Sequence, residues 1–130
     1  MRDLFLLEEL LCQIEEAVKT IRIRFEPVES VDWFLDSPEG QEKLDSICML
    51  FIAIGEGLKQ VDKLTDNKFL KRYDNIDWRA IKGMRDILSH HYFDLNAEAV
   101  FNVCNDELLE LQQTLSSMIE EIHNNGKERK

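Results

Sequence analysis

Apolar residues recur at alternating intervals of three and four along the first 25 positions, which is the spacing of one face of an α-helix. The stripe is about seven turns long and contains Leu4, Leu7, Leu11, Ile14, Val18, Ile21 and Phe25. A residue that precedes a proline is disfavoured in the helical conformation, so we expect this helix to end just before Pro27. The pattern therefore predicts one long amphipathic helix at the start of the chain.

Two further helices are predicted before position 65. Ser30 is a suitable N-cap for a short helix over residues 31–35, which should end before Pro38. A third helix should begin near residues 37–39, where proline fits the first helical turn and Glu39 fits the positive end of the helix dipole. Its apolar stripe contains Leu44, Ile47, Phe51, Ile54, Leu58 and Val61.

Gly55 and Gly57 lie inside this third helix and flank Glu56. A glycine in a helix interior costs about 1 kcal/mol relative to alanine, so two of them need a reason. We interpret them as positions where helices pack closely or where a neighbouring side chain needs room.

The rest of the chain predicts a polar connection and two more helices. Residues 65–76 are polar, with one helical turn at 69–73, and Asp77 should cap a fourth helix that begins at Trp78. A last long helix should run from its N-cap, Asn96, to residue 123 or 124, where Asn-Asn-Gly is expected to end it. Its stripe contains Cys104, Leu108, Leu111, Leu115, Met118 and Ile122.

Length and composition point to the same fold class. The chain has 130 residues, about the size of one domain, and it has only 5 Gly and 2 Pro. So few turn-forming residues argue against an all-β sandwich. We therefore predict that residues 1–130 form a single all-α domain, an antiparallel up-and-down four-helix bundle with short additional helices.

Membrane and secretory segments are not expected. The longest stretch without a charge, residues 46–55, is about half of what a membrane-spanning helix needs. Asp3 interrupts the apolar segment that a signal peptide would require, so we expect a cytoplasmic protein. Cys12, Cys48 and Cys104 have no Cys-x-x-Cys or Cys/His ligand spacing, and we interpret them as reduced core thiols rather than metal ligands or disulfides.

The charge is strongly uneven along the chain. The net charge of −10 opposes non-specific binding to nucleic acid. Residues 59–85, however, contain eight basic and four acidic residues, a net charge of +4. This segment is either a solvated basic face or an attachment site for an anionic ligand.

One arginine breaks the apolar pattern of the fourth helix. Its apolar positions are Trp78, Ile81 and Leu88, and the same register places Arg85 and Tyr92 on that line. An arginine stays charged at any relevant pH, so a core-facing one needs a carboxylate, a phosphate or a subunit boundary. Violations of this kind tend to mark functional sites.

Two interpretations of Arg85 follow from the residues alone. It could form a structural ion pair with Glu56 or Asp86. Alternatively, Arg85 with the nearby His90 and Tyr92 could bind a phosphodiester, move a proton and supply a hydroxyl. Positions 85 and 90 are about 140° apart on an ideal helix, so either the helix loosens near His90 or a second copy of the chain completes the site.

Residues 85–92 form an Arg-x4-His-x-Tyr motif that resembles the signature of HEPN-domain proteins. More narrowly, the chain resembles the HepT-type toxins of MNT/HepT toxin–antitoxin systems. The similarity covers most of the chain. It includes the long first helix, the 45–58 helix with its Gly-Glu pair, the 77–81 and 83–86 segments, and His-Tyr-Phe at 91–93.

The resemblance implies a cytoplasmic, metal-independent RNA endonuclease that needs no cofactor and is the toxin of a type VII-like toxin–antitoxin system. It implies that Arg85 and His90 are catalytic and that Asp86 and Glu56 support them. Its partners would be RNA, a second copy of the chain, and an MNT-type nucleotidyltransferase antitoxin, in a homodimer or a larger hetero-oligomer without a membrane. The antitoxin would neutralise the toxin by transferring AMP to Tyr92.

Two other functions stay open from the sequence. The chain could be a non-catalytic HEPN interaction module that binds a nucleotidyltransferase and a nucleotide or RNA. It could also be a helical bundle in which Arg85 is only a buried ion pair, and then Arg85→Ala should destabilise the fold markedly.

Overall fold

The hydrophobic stripes form helices close to the predicted bounds. The structure is a computed structural model that describes residues 2–90 and 96–128, with side chains for 3–89 and 96–125. Its elements are α1 (Arg2–Phe25), α2 (Val31–Leu35), α3 (Pro38–Leu64), a 3₁₀ turn (Leu70–Arg72), α4 (Trp78–His90), α5 (Ala97–Asp106) and α6 (Leu108–Glu128). The described residues contain no strand, so the predicted all-α fold class is confirmed. None of the described helices is both long enough and apolar enough to cross a membrane.

Three helices begin at a capping side chain: Asp77 and Asn96 are the predicted caps, and Ser37 lies in the predicted start of α3. Ser37, Asp77 and Asn96 each accept a hydrogen bond from the backbone N–H three residues further along, at 3.0, 3.0 and 3.2 Å. Each bond satisfies one of the N–H groups that has no partner inside the helix. Ser30 occupies the N-cap position of α2 but makes no capping bond with its side chain.

The long helices pack in an antiparallel bundle. Helix α1 packs on α3 and α6, and α3 packs on α4. Contacts of Arg22 with Gln112 and of Glu15 with Ser116 show that α1 and α6 run in opposite directions. The largest fully buried side chains come from the predicted stripes and from Phe34 of α2: Phe34, Phe51, Leu11, Ile21, Leu44, Ile47, Ile54, Leu58, Leu108, Leu111, Leu115 and Met118.

The last helix differs from the prediction at two places. It is divided at Glu107, because Asn105 and Asp106 are poor helix formers and hydrogen-bond to each other at 2.9 Å. The apolar stripe continues across the break, with Cys104 and Leu108 both buried. Helix α6 also continues to Glu128 through the Asn-Asn-Gly sequence, since these residues weaken a helix without forbidding it.

The prediction of three core thiols is confirmed for two cysteines and wrong for the third. Cys48 and Cys104 are buried, and burial raises the pKa of each thiol to about 12. Cys12 is exposed, because it follows the stripe residue Leu11 and therefore lies about 100° away from the buried face of α1.

We expect one fast-reacting thiol in the folded protein. A maleimide at pH 8 should modify Cys12 first, because its side chain is exposed. Cys48 and Cys104 should react only after unfolding, because they are buried and their pKa values of about 12 leave little of the reactive thiolate. Mass spectrometry over time measures the number of adducts. Cys12→Ser should remove the fast phase, and fast modification of two thiols in that variant would contradict the burial of Cys48 and Cys104.

Candidate functional site

Arg85 lies on the apolar stripe of α4, at the edge of the core. Trp78, Ile81 and Leu88 are buried, as predicted. The Arg85 side chain on the same line is 28% exposed. Its aliphatic stem therefore packs inward while the guanidinium reaches the surface, which is the usual way a long cationic side chain occupies such a position.

Gly55 allows this placement by bringing α3 and α4 close together. A Cβ atom at position 55 would lie 2.3 Å from Cβ of Arg85, far inside van der Waals contact. At position 57 a Cβ would lie 2.8 Å from Cγ1 of Ile14 in α1. The interpretation of both glycines as close-packing positions is consistent with these distances, and Gly55 packs directly against the candidate catalytic arginine.

Arg85 and three other charged side chains form a network of ion pairs. Nε of Arg85 forms an ion pair with Oε1 of Glu56, and both atoms are shielded from solvent. Nη1 of Arg85 donates to Oδ1 of Asp86 at 2.8 Å. The same carboxylate oxygen accepts a hydrogen bond from Nζ of Lys59 at 3.2 Å. The network thus alternates in sign and joins α3 to α4.

The network favours the ionised forms of Arg85 and Asp86. Hydrogen bonds to Asp86 and then to Glu56 raise the pKa of the Arg85 guanidinium. The hydrogen bonds from Arg85 and then from Lys59 lower the pKa of the Asp86 carboxyl. Asp86 and Lys59 are each about half exposed, so solvent screens these pairs and they add little to stability. Their main effect is to hold the guanidinium in one orientation.

The orientation leaves hydrogen-bond donors of Arg85 for a ligand. A guanidinium has five N–H donors, and the two carboxylates engage Nε and Nη1. Among the described residues, Nη2 has no partner. The planar guanidinium group matches the oxygen atoms of a phosphate group, so the site can bind an anionic phosphodiester.

The structure places some of the predicted site residues together and leaves two outside its description. Glu56 and Asp86 both contact Arg85, so both predicted ion-pair partners are used. The backbone of α4 is helical through His90, which keeps positions 85 and 90 about 140° apart around the axis. The side chain of His90 and the whole of Tyr92 lie outside the described residues.

Lys59 is a member of the network that the sequence analysis did not single out. It lies three residues after Glu56, which places both on one face of α3. That spacing, together with its place in the basic segment, was the available signal. Among the described residues, no group of three or more His, Cys, Asp and Glu side chains could hold a metal ion.

Comparison with known proteins gives a family and several distant relatives. A protein named "Putative RNase" from Caldanaerobacter subterraneus subsp. tengcongensis is 30% identical over 67 residues, covering 52% of this chain and 56% of that protein. A "Putative RNase" of Methanocaldococcus jannaschii is 31% identical over 51 residues, 39% of each chain. A "Gamma-glutamylcyclotransferase and putative RNase" of the same organism is 26% identical over 81 residues, 62% of this chain and 35% of that protein. The matches thus span about half or less of each relative.

No solved structure shows a significant match to the chain. The family model described as "Ribonuclease HepT-like" matches residues 14–118, which include all of α3 and α4 and therefore the network around Arg85. The match extends over most of the chain, and it agrees with the all-α bundle. The chain belongs to the HepT-like ribonuclease family.

Proposed function

We propose that this protein is a metal-independent endoribonuclease in which Arg85 and His90 are the catalytic residues. The observation that carries the proposal is the guanidinium of Arg85, which two carboxylates orient at the surface and which retains free donors. It lies on the helix that also carries His90. Glu56 and Asp86 act as positioning residues for Arg85.

The chemistry follows from these residue types. The 2′-oxygen of the RNA attacks the neighbouring phosphorus while the bond from phosphorus to the 5′-oxygen breaks. The 2′-hydroxyl loses its proton, and the departing 5′-oxygen gains one. His90, with a near-neutral ordinary pKa, serves as general base or general acid in these transfers. Arg85 stabilises the charge that grows on the phosphoryl oxygens.

A second copy of the chain is expected to complete the site. The helical backbone keeps positions 85 and 90 about 140° apart around the axis, which favours the alternative in which a second copy completes the site. Met49 on α3 and Ile87 on α4 are 66% and 56% exposed. Large exposed apolar side chains on the two helices that hold the site support an interface between two copies there.

The regulatory part of the proposal concerns Tyr92. A nucleotidyltransferase antitoxin would transfer AMP from ATP to the tyrosine oxygen, with release of pyrophosphate. The adduct would add bulk and negative charge seven residues from Arg85 and exclude the anionic RNA. In this proposal the protein is the toxin of a type VII-like toxin–antitoxin system.

The second candidate function is a non-catalytic interaction module. The observation that favours it is the charge balance of the network, in which Glu56 and Asp86 face Arg85 while only Lys59 adds a second positive charge. Such a site could bind a partner or a nucleotide without cleaving RNA.

Cleavage of a mixed RNA substrate in the presence of EDTA tests the proposal. The purified protein is first shown by mass spectrometry to be unmodified at Tyr92. We expect products with a 5′-hydroxyl at one end and a 2′,3′-cyclic phosphate at the other. His90→Ala, purified in the same way, reveals any contaminating nuclease. If wild type cuts none of the RNA, the interaction module becomes the better description.

A further inference from the structure

One glycine in α4, Gly83, has no packing explanation within the described residues. Three of the four glycines with described surroundings are held by close contacts: a Cβ at Gly40, Gly55 or Gly57 would meet another atom at 2.1, 2.3 or 2.8 Å. A Cβ at Gly83 would meet nothing within 4 Å. A glycine in a helix interior lowers helix stability, and at this position it leaves room for a close approach by something outside the described chain.

Gly83 lies in a groove between α3 and α4 that adjoins the site. The groove has a volume of about 590 Å³, and Asp86 of the Arg85 network forms part of its wall. Its cationic side chains are Lys59, Lys63, Arg79 and Lys82. The groove therefore adjoins the Arg85 network through Asp86, and it is lined by basic side chains in a protein whose net charge is −10.

The groove has an excess of positive charge. Its two carboxylates are already paired: Asp62 with Lys82 at 2.5 Å and Asp86 with Lys59 at 3.2 Å. Lys63 and Arg79 are exposed, and the described residues offer them no ion pair. Two such cations in a groove that also contains a glycine are suited to an extended anionic backbone.

We infer that this groove holds the phosphodiester backbone of single-stranded RNA next to the scissile phosphate, with Lys63 and Arg79 contacting phosphates and Gly83 giving the backbone room. The inference rests on the proposed function, since an RNA whose reacting phosphate lies on Arg85 would place its neighbouring phosphates over the groove. RNA is preferred over a second protein because positive charge is concentrated here while the chain as a whole carries −10.

The first experiment measures binding without cleavage. Fluorescence anisotropy follows binding of a 2′-O-methyl RNA oligonucleotide, which lacks the nucleophilic hydroxyl, to the full-length protein at several salt concentrations. Each lost phosphate contact should reduce the slope of log affinity against log salt by about 0.7. The double variant Lys63→Gln/Arg79→Gln should therefore reduce the slope by about 1.4.

A matched double variant controls for net charge. Lys68→Gln/Lys71→Gln makes the same charge change at exposed positions of the basic segment that do not line the groove. It should leave the salt slope nearly unchanged. Equal slopes for the two double variants, or no binding of the oligonucleotide by wild type at low salt, would overturn the inference.

The second experiment separates the groove from a structural role of glycine. Gly83→Ala should raise the melting temperature, because alanine is the better helix former and nothing obstructs its methyl group. Gly83→Leu should weaken RNA binding roughly tenfold, equivalent to about 1.4 kcal/mol. Ala80→Leu, an exposed position of α4 outside the groove, is the control and should bind RNA as wild type does.

The outcomes also distinguish this inference from the proposed function. If the groove variants lose RNA binding while wild type fails to cleave RNA, the result supports RNA binding in the groove and contradicts the proposed catalysis. If wild type cleaves RNA but the groove variants bind the oligonucleotide normally, the result supports the proposed catalysis and contradicts RNA binding in the groove. If Gly83→Leu changes the mass of the oligomer in analytical ultracentrifugation with RNA binding intact, the groove belongs to a protein interface instead.

Discussion

Alanine at Arg85 or at His90 is expected to reduce RNA cleavage by about 100-fold or more with little change in the melting temperature. Loss of one group that stabilises the developing charge costs about 10² to 10³ in rate. Loss of general acid–base catalysis costs about 10² to 10⁴. The fold should tolerate Arg85→Ala because the partners of Arg85 are themselves 43% and 55% exposed and can be solvated.

Single-turnover cleavage and thermal melting followed by circular dichroism measure the two effects. Arg85→Lys keeps the charge but cannot engage Glu56 and Asp86 while also presenting a planar fork, so it should recover only part of the rate. Lys71→Ala removes one positive charge from the basic segment outside both the Arg85 network and the groove, and it should retain full cleavage. A large fall in melting temperature with Arg85→Ala would instead support the structural ion pair.

Much of the fold follows from local rules that act within the sequence. The three- and four-residue spacing predicted α1, α3 and α4, and Ser37, Asp77 and Asn96 predicted where three helices begin. The break at Glu107 was missed because the apolar stripe is continuous across it. A periodic pattern reports which face is buried, whereas a bend depends on the balance of backbone hydrogen bonds at a few residues.

The site was only partly predictable for a related reason. Arg85 could be found because it contradicts the stripe of its own helix. Its partners depend on how α3 and α4 are aligned, and nothing in the polar connection of residues 65–77 fixes that alignment in advance. Glu56 and Asp86 could therefore be named only as candidate partners. Lys59 joins the network through the packing of α3 against α4, which brings its Nζ to the carboxylate of Asp86.

Gly55 packs directly against Arg85, so Gly55→Ala should reduce RNA cleavage by about 100-fold. The new methyl group would lie 2.3 Å from Cβ and 3.5 Å from Cα of Arg85, so relief requires a shift of the α4 backbone rather than of a side-chain end. Such a shift displaces Arg85 from Glu56 and Asp86, and a misplacement of about 1 Å can cost 10² in rate. Overpacking of this kind also destabilises a fold by about 1–3 kcal/mol.

Gly57→Ala is the matched control, because it makes the same chemical change two residues along the same helix. Its methyl group would meet Cγ1 and Cδ1 of Ile14 at 2.8 and 3.0 Å, atoms that can move by rotation of that side chain. It should lower the melting temperature but retain nearly full cleavage, since it faces α1 and not α4. If the two variants lose cleavage equally, the effect of Gly55→Ala reflects loss of stability, and the packing of α3 against Arg85 has no separate part in catalysis.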